Sequence, residues 1–187
     1  MAVTVPCLNK DNLIITLPDP SEANIILQYY MDNRDHLAQW EPKRDSHYHT
    51  FQAWQSRLRL YLADYSSGRG VYWSVFDGER KRILAVCNYS NIVRGAFQAC
   101  HLGYSVDYRY QGQGLMFKVL SKTIEYMFKE HKLHRIMANY IPENKRSRRL
   151  LQRLGFEKEG YAKKYLNING QWQDHILTAR VNEQWNI

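Results

Sequence analysis

The chain has 187 residues, of which 44% are hydrophobic and 24% are charged. This composition is ordinary for a globular protein and excludes a disordered or fibrous chain, and the length fits one domain. We place that domain at residues 10–182. The three cysteines are widely spaced and form no C-x-x-C pair, which argues against a disulfide framework and a zinc knuckle.

Charge and hydropathy narrow the possible partners and the compartment. No apolar run approaches the roughly 18 residues that a membrane-spanning helix needs. Residues 1–7 carry neither a basic n-region nor an apolar h-region, so we predict no secretory signal, a cytoplasmic protein and no membrane partner. Lys and Arg number 26 against 18 Asp and Glu, a formal net charge of +8. That charge favours an anionic partner, such as nucleic acid, a ribonucleoprotein surface or a phosphorylated cofactor, without choosing among them.

The first predicted elements are a strand and two helices. An apolar stretch at residues 13–17 predicts the strand. Asp19 as N-cap and Pro20 as first helical residue predict a helix that continues to about residue 33. Large apolar side chains recur at helical spacing in residues 50–65, which predicts the second helix.

The middle of the chain predicts an antiparallel meander followed by a crossover. Three runs of strand type occupy residues 71–76, 82–93 and 96–106, and the turns between them fall at Asp77-Gly78 and Arg94-Gly95. A helix at residues 114–129 and a strand at residues 135–140 then complete a βαβ unit.

The last third of the chain predicts one more helix and a hairpin. The helix occupies residues 142–154 and ends at Gly155, and strands at residues 156–168 and 171–181 flank Asn169-Gly170. The predicted fold class is therefore α+β, with a mixed central sheet of about seven strands and about four helices.

The segment Arg109-Tyr110-Gln111-Gly112-Gln113-Gly114 lies between a predicted strand and a predicted helix. Glycines let a backbone approach a ligand closely, and amides at a helix start carry partial positive charge that suits a phosphate. The loop is not a Walker A motif, because no Gly-Lys-Ser/Thr follows, and Phe117 stands where a dinucleotide fingerprint needs a small residue. A glycine pair at a helix start also occurs for steric reasons alone.

The motif Arg109-x-x-Gly112-x-Gly114 at this junction resembles the acetyl-coenzyme A signature of the GNAT acetyltransferases. Residues 142–147, 151–161 and 169–175 are similar to the branch of that family that acetylates protein N-termini in bacteria. The resemblance covers about residues 10–182 and implies the GNAT fold. It also implies an enzyme that moves an acetyl group from acetyl-coenzyme A to the N-terminal alanine of a small-subunit ribosomal protein, without a metal.

The resemblance implies a set of cofactor-binding residues. In the family, backbone amides of the strand before the glycine loop bind pantetheine and polarise the thioester carbonyl. The loop amides hold the pyrophosphate, and the asparagine of an Asn-x-x-Ser motif contacts the pantetheine arm. The matching residues here are Tyr104, Ser105, Val106, Arg109, Gln111, Gly112, Gln113, Gly114, Leu115 and Asn144.

Three side chains are candidates for proton transfer. An N-terminal amine has a pKa of about 7.7 to 8.0, so its acetylation needs only a modest base. His101, near the position where many family members place a glutamate, is the first candidate for the base, and Glu41 is the second. A histidine bonded within the sheet and a surface carboxylate explain these residues as well. Ser147 is the candidate acid for the departing thiolate, since Leu151 stands where many relatives carry a tyrosine.

The sequence leaves open the role of a basic cluster and the choice among rival functions. A cluster of basic residues fits either a grip on phosphate or RNA, or a solvated helix face: Lys145, Arg146, Arg148, Arg149, Arg153 and Lys158. The rival functions are an acetyltransferase for another protein or small amine, and a ribosome-assembly or RNA-binding module in which catalysis is incidental. The ribosome or its RNA is accordingly a further candidate partner.

Overall fold

The computed structural model describes residues 4–185. Residues 186–187 and residues 1–3, part of the stretch without a signal-peptide pattern, lie outside the described residues. The strands are β1 Cys7–Lys10, β2 Leu13–Thr16, β3 Val71–Asp77, β4 Ile83–Val93, β5 Ala99–Val106, β6 Arg135–Met137, β7 Glu157–Ile168 and β8 Gln171–Val181. The α-helices are α1 Ala23–Asp32, α2 Arg34–Leu37, α3 Phe51–Ser66, α4 Leu115–Lys129 and α5 Lys145–Arg153.

All eight strands form one mixed sheet in the order β1-β2-β3-β4-β5-β6-β8-β7. The α+β class is confirmed, but the predicted count was one strand and one helix short. Strand β1 was missed because its four residues show no clear apolar alternation. It pairs with β2 through a two-residue turn at Asp11 and Asn12, whose φ angles are 49° and 61°. Positive φ at both central residues is typical of a type I′ hairpin turn.

The region after β2 begins as predicted and then departs from the prediction. The Asp19 carboxylate accepts the Ser21 amide at 2.9 Å, and the Asp19 amide donates to Glu22 at 2.7 Å, which completes a capping box. The predicted single helix is instead a 3₁₀ turn at Pro20–Glu22 followed by α1 and α2. The break falls at buried Asn33, whose side-chain oxygen accepts the Tyr108 amide at 2.9 Å. This bond fixes α1 against the loop after β5.

The antiparallel meander β3-β4-β5 is confirmed, but both of its turns are longer than predicted. Residues 78–82 connect β3 to β4, and the Asp77 carboxylate accepts the Lys81 amide there at 2.8 Å. Residues 94–98 connect β4 to β5. Extra residues in left-handed conformation, at Arg80 and Gln98, make the loops wider than two-residue turns.

The β5-α4-β6 crossover is also confirmed, and its two parallel strands pair over only three residues, from Ala99 to His101. Beyond that point β5 continues to Val106. The chain after β6 turns instead to β8, where the Tyr140 amide donates to the Ile176 carbonyl at 3.1 Å. The strand predicted at residues 135–140 is therefore shorter, and the sheet opens between β5 and β6.

Two hydrophobic cores cover the two faces of the sheet. Helices α4 and α5 pack on the face that carries Ala85 and Cys87, and α1 and α3 pack on the face that carries Val86. These residues alternate along β4 because successive strand side chains point to opposite faces. In residues 4–185, none of the helices combines the length and hydropathy needed to cross a bilayer.

Candidate active site

A groove of about 1040 Å³ passes through the sheet where β5 and β6 diverge. Ten of the thirteen predicted site residues line it: Glu41, Tyr104, Ser105, Val106, Gln111, Gly112, Gly114, Leu115, Asn144 and Ser147. The half of the groove toward α4 and α5 contains the glycine loop, and we call it the cofactor half. The half toward α1 and α3 contains Glu41, and we call it the acceptor half.

The exposed edge of β5 presents backbone amides to the groove. The Asp107 amide donates to the Leu84 carbonyl of the β4 side at 2.9 Å. Because the direction of backbone bonds alternates along an antiparallel pair, the Ser105 amide faces β4, whereas the amides of Tyr104 and Val106 point into the opening. Ser105 contributes its side chain to another contact, a 2.8 Å hydrogen bond with the Tyr29 hydroxyl on α1.

The glycine loop is open toward the groove. Gly112 and Gly114 have φ angles of 72° and 76°, and a Cβ at either position would meet no atom within 4 Å. Gly114 is the N-cap of the 15-residue helix α4, and no side chain caps the first turn. The amides of that turn are therefore available to an anion, and the loop geometry fits a pyrophosphate.

Two of the predicted cofactor residues, Arg109 and Gln113, do not line the groove. The Arg109 guanidinium is bound by the buried Asp107 carboxylate, with Nε at 2.9 Å and Nη2 at 2.5 Å. The Gln113 side chain donates to the Arg109 carbonyl at 2.8 Å. Both side chains hold the shape of the loop, so the arginine of the motif has a structural contact that its spacing did not indicate.

The basic cluster predicted from the sequence lies partly in the groove and partly outside it. Lys145, Arg146, Arg149 and Arg153 border the cofactor half, whereas Arg148 and Lys158 do not line the groove. The Arg146 guanidinium also donates a hydrogen bond to the side-chain amide oxygen of Gln111. Four cations beside a loop of free amides form a strongly positive surface that suits a polyphosphate.

Ser147 and Tyr104 form a pair of hydroxyls in the cofactor half, 2.6 Å apart. Asn144, the N-cap of α5, accepts the Ser147 amide at 3.0 Å and fixes this residue at the groove. Burial raises the pKa of Tyr104 to about 12, although its hydrogen bond with Ser147 acts in the opposite direction. Tyr104 therefore keeps its proton at neutral pH and can donate it to Ser147, which leaves the Ser147 proton free for a group in the groove.

Glu41 lies in the acceptor half, on the loop after α2. Burial raises the pKa of its carboxyl above the ordinary value, and nearby Arg44 lowers it in part. The Asn169 amide, in the turn between β7 and β8, donates to the Glu41 backbone carbonyl at 2.9 Å. The β7–β8 hairpin and the Glu41 loop are thus in direct contact, and the half-buried Glu41 carboxylate in the acceptor half suits a cationic amine.

The two histidines of the central sheet are placed differently. His101, the first candidate base, does not line the groove, and its buried Nδ1 has no partner among residues 4–185. Burial lowers the pKa of His101. Its role as base stays a prediction that this position does not favour. His175 on β8 lines the acceptor half, and the sequence motif that contains it indicated no role for the side chain. Among the described residues, no group of three or more His, Cys, Asp or Glu side chains is placed to hold a metal ion.

Comparison with known proteins gives consistent matches. The sequence matches the family described as acetyltransferase (GNAT) domain over residues 12–157. It is 48% identical over 178 residues to the ribosomal protein uS5-alanine N-acetyltransferase of Escherichia coli (strain K12), covering 95% of this chain and 92% of that protein. The ribosomal-protein-S5-alanine acetyltransferase structure from Vibrio fischeri has a TM-score of 0.94 and 44% identity over 97% of this chain and 100% of that chain. Mycobacterium smegmatis RimJ in complex with coenzyme A disulfide has a TM-score of 0.85 and 27% identity, covering 98% and 89% of the two chains.

Proposed function

Since this chain belongs to the GNAT acetyltransferase family, we propose that it transfers the acetyl group of acetyl-coenzyme A to the N-terminal alanine of a small-subunit ribosomal protein. The observation that carries the proposal is one groove that joins a loop suited to pyrophosphate with a half-buried carboxylate suited to an amine. The 48% identity to an enzyme named for uS5 alanine supports the choice of substrate. We propose that the enzyme acts in the cytoplasm, where ribosomal proteins are made.

The cofactor half would hold acetyl-coenzyme A through main-chain and side-chain groups. The free amides from Gly112 to Leu115 would bind the pyrophosphate, and Arg146 and Arg149 would neutralise phosphate charge. Asn144 borders the same half, where the pantetheine arm would run. The bound thioester supplies an activated acetyl group, so no metal is needed in this scheme.

The groove residues would then assist a direct transfer. The amine nitrogen forms a bond to the thioester carbonyl carbon, and the carbon–sulfur bond breaks. Amides of Tyr104 and Val106 would stabilise the charge that develops on the carbonyl oxygen. Ser147 would protonate the departing sulfur and take a proton from Tyr104, which regains its own proton from solvent once coenzyme A has left. Glu41 would hold the terminal ammonium before it loses its proton.

A panel of acceptors tests the substrate assignment. Peptides with the same body and Ala, Ser, Thr or Met as the first residue are compared with spermidine, each with acetyl-coenzyme A, by the rate of coenzyme A release. We expect the highest kcat/KM with the Ala peptide. A preference for the polyamine would contradict the proposal and favour a small-amine acetyltransferase.

Contact with ribosomal RNA is a second candidate function that the charge distribution favours. Residues 108–187 contain fifteen Lys and Arg against seven Asp and Glu, so they carry the whole net charge of +8. Part of that charge, including Arg148 and Lys158, lies outside the groove. Binding to ribosomal RNA that weakens steeply with salt and survives saturation with coenzyme A would support this function. Complete competition by coenzyme A would contradict it.

A further inference from the structure

The side chain of His175 is held in one orientation and one tautomer. Its Nδ1 lies 3.0 Å from the Gln173 carbonyl oxygen. A carbonyl can only accept a hydrogen bond, so Nδ1 carries the proton and the neutral ring has its lone pair on Nε2. The residue is 4% exposed, and its ring packs against Tyr165 at a centroid distance of 5.5 Å.

The remaining ring nitrogen is free and accessible. Within residues 4–185, Nε2 of His175 makes no hydrogen bond, and it is not fully buried. Because His175 lines the groove, we infer that Nε2 is open to the groove. His101 Nδ1, in contrast, is both buried and unpartnered. A groove-lining histidine with a fixed Nδ1–H and a free Nε2 has the arrangement that proton acceptance requires.

His175 also lies close to the place where the sheet opens. The adjacent residue Ile176 forms the last pairing of β8 with the chain beyond β6, through reciprocal bonds with Tyr140 of 3.1 and 2.8 Å. The amides of Tyr104 and Val106 point into this same opening from β5. The titratable or charged groups that share this end of the groove are Tyr165, Tyr140, Glu41, Arg44, Tyr48 and Tyr61.

We propose that His175, rather than His101, accepts the proton of the attacking amine. This inference rests on the proposed function, because it assumes an amine in the acceptor half. As the nitrogen–carbon bond forms, one N–H proton moves to Nε2 of His175, directly or through one water. The resulting imidazolium keeps its Nδ1–H bond to Gln173 and releases the Nε2 proton to solvent after the product leaves.

The assignment gives Glu41, the second candidate base from the sequence, a binding role instead. Glu41, a half-buried carboxylate, attracts the ammonium form of the substrate and acts mainly on its binding. His175 acts on the chemical step. A substitution at Glu41 should therefore raise KM for the amine, whereas one at His175 should lower kcat.

The test compares His175→Gln with His134→Gln as a matched control. His134 is also a ring beside an aromatic side chain, 5.6 Å from Trp185, and it does not line the groove. Both variants are assayed with whichever amine of the acceptor panel the unmodified enzyme acetylates best, so a wrong substrate assignment leaves this test intact. A second acceptor carries an aminooxy group in place of the amine. This nitrogen is less basic, so the N–H proton that leaves as the bond forms is more acidic and depends less on a protein base.

We expect His175→Gln to lower kcat for the amine by about 10²-fold or more, which is the usual contribution of a general base. The loss with the aminooxy acceptor should be much smaller, and His134→Gln should lower kcat for neither acceptor. An equal loss with both acceptors would overturn the proposal. So would a parallel loss of coenzyme A affinity and melting temperature, or a larger, acceptor-dependent loss in His101→Gln.

Discussion

The hydroxyls of Ser147 and Tyr104 are hydrogen-bonded to each other, and in the proposed mechanism this pair gives a proton to the departing thiolate. Replacing Ser147 with Ala removes the hydroxyl but leaves its backbone amide on the Asn144 cap. We therefore expect Ser147→Ala to keep its affinity for coenzyme A and to lose about 10²-fold in kcat, the lower end for a general acid. Steady-state kinetics with acetyl-coenzyme A and binding of coenzyme A by calorimetry measure the two quantities.

Ser121→Ala is the matched control for this substitution. The Ser121 hydroxyl donates to the Phe117 carbonyl at 2.7 Å, and the residue is outside the groove. It should keep nearly full activity. Unchanged kcat in Ser147→Ala, or equal losses in both variants, would mean that sulfur leaves without help from this pair.

Asp107 is the acidic residue that fixes the loop before the glycine motif. Burial acts to raise its pKa, but hydrogen bonds from the side chain and amide of Arg109 and from Asn33 bring the pKa below its ordinary value. A lowered pKa in the folded state means that this stabilisation is present above the unfolded pKa of about 3.9 and is lost as the pH falls through the folded value.

Asp107→Asn should therefore lower the free energy of unfolding by about 2 kcal/mol at pH 7, as for the loss of charge-assisted hydrogen bonds. The difference from the unmodified protein should shrink as the pH falls below about 3.9. Urea unfolding at pH 7 and at acid pH measures both effects. Asp11→Asn is the control, because Asp11 only forms an exposed pair with Lys118 at 3.1 Å. A constant difference across pH would contradict the role assigned to the Asp107 charge.

Gly114 in the glycine loop can be compared with Gly68, the glycine that follows α3. Gly114 and Gly68 have φ angles of 76° and 69°, and an added Cβ meets nothing within 4 Å at either position. Substitution with Ala imposes a similar backbone strain on both, about 1–2 kcal/mol. Only Gly114 lies in the groove, where a methyl group would occupy space next to the pyrophosphate.

We expect Gly114→Ala and Gly68→Ala to lose similar free energy of unfolding and to differ in ligand binding. Gly114→Ala should weaken coenzyme A binding by about tenfold or more, and Gly68→Ala should not change it, since the loss of phosphate contacts at a helix N-terminus affects only the first. Denaturation curves and calorimetric titration with coenzyme A test this. Equal binding by both variants would show that the loop does not hold the cofactor.

Local signals predicted the elements whose determinants are adjacent in the chain. The N-cap at Asp19, the meander and the helix end at Gly155 were all indicated by neighbouring residues. The opening between β5 and β6 was not, because it depends on β8 replacing β5 as the partner of residues 138–140. Pairing between distant segments leaves no local pattern, so the strand was predicted too long.

The whole molecule divides into a neutral part and a basic part. Residues 1–107 contain eleven Lys and Arg and eleven Asp and Glu, so the net charge of +8 belongs to residues 108–187. These residues form α4, α5 and the last three strands, and α4 and α5 border the cofactor half. The acceptor half takes Glu41 from the neutral part and His175 from the basic part. The four cations beside the cofactor half, Lys145, Arg146, Arg149 and Arg153, thus all come from the basic part.

The same division explains which site residues the sequence revealed. The cofactor half comes from two contiguous motifs, and the GNAT resemblance that they carried is confirmed. The acceptor half is assembled from α1, the loop after α2, and strands β4 and β8, which are far apart in sequence. His101 was favoured because its strand position resembles a catalytic one, and His175 was passed over because no neighbouring residue indicates that its Nε2 faces the groove.

The most direct test of N-terminal acetylation by this enzyme measures acetyl transfer from labelled acetyl-coenzyme A to two peptides. One begins with a free Ala and contains an internal lysine, and the other has the same sequence with a blocked N-terminus. We expect a single acetyl group, on the terminal nitrogen of the first peptide, and no transfer to the second. Comparable labelling of the blocked peptide would contradict it, because the groove would then accept a lysine side chain.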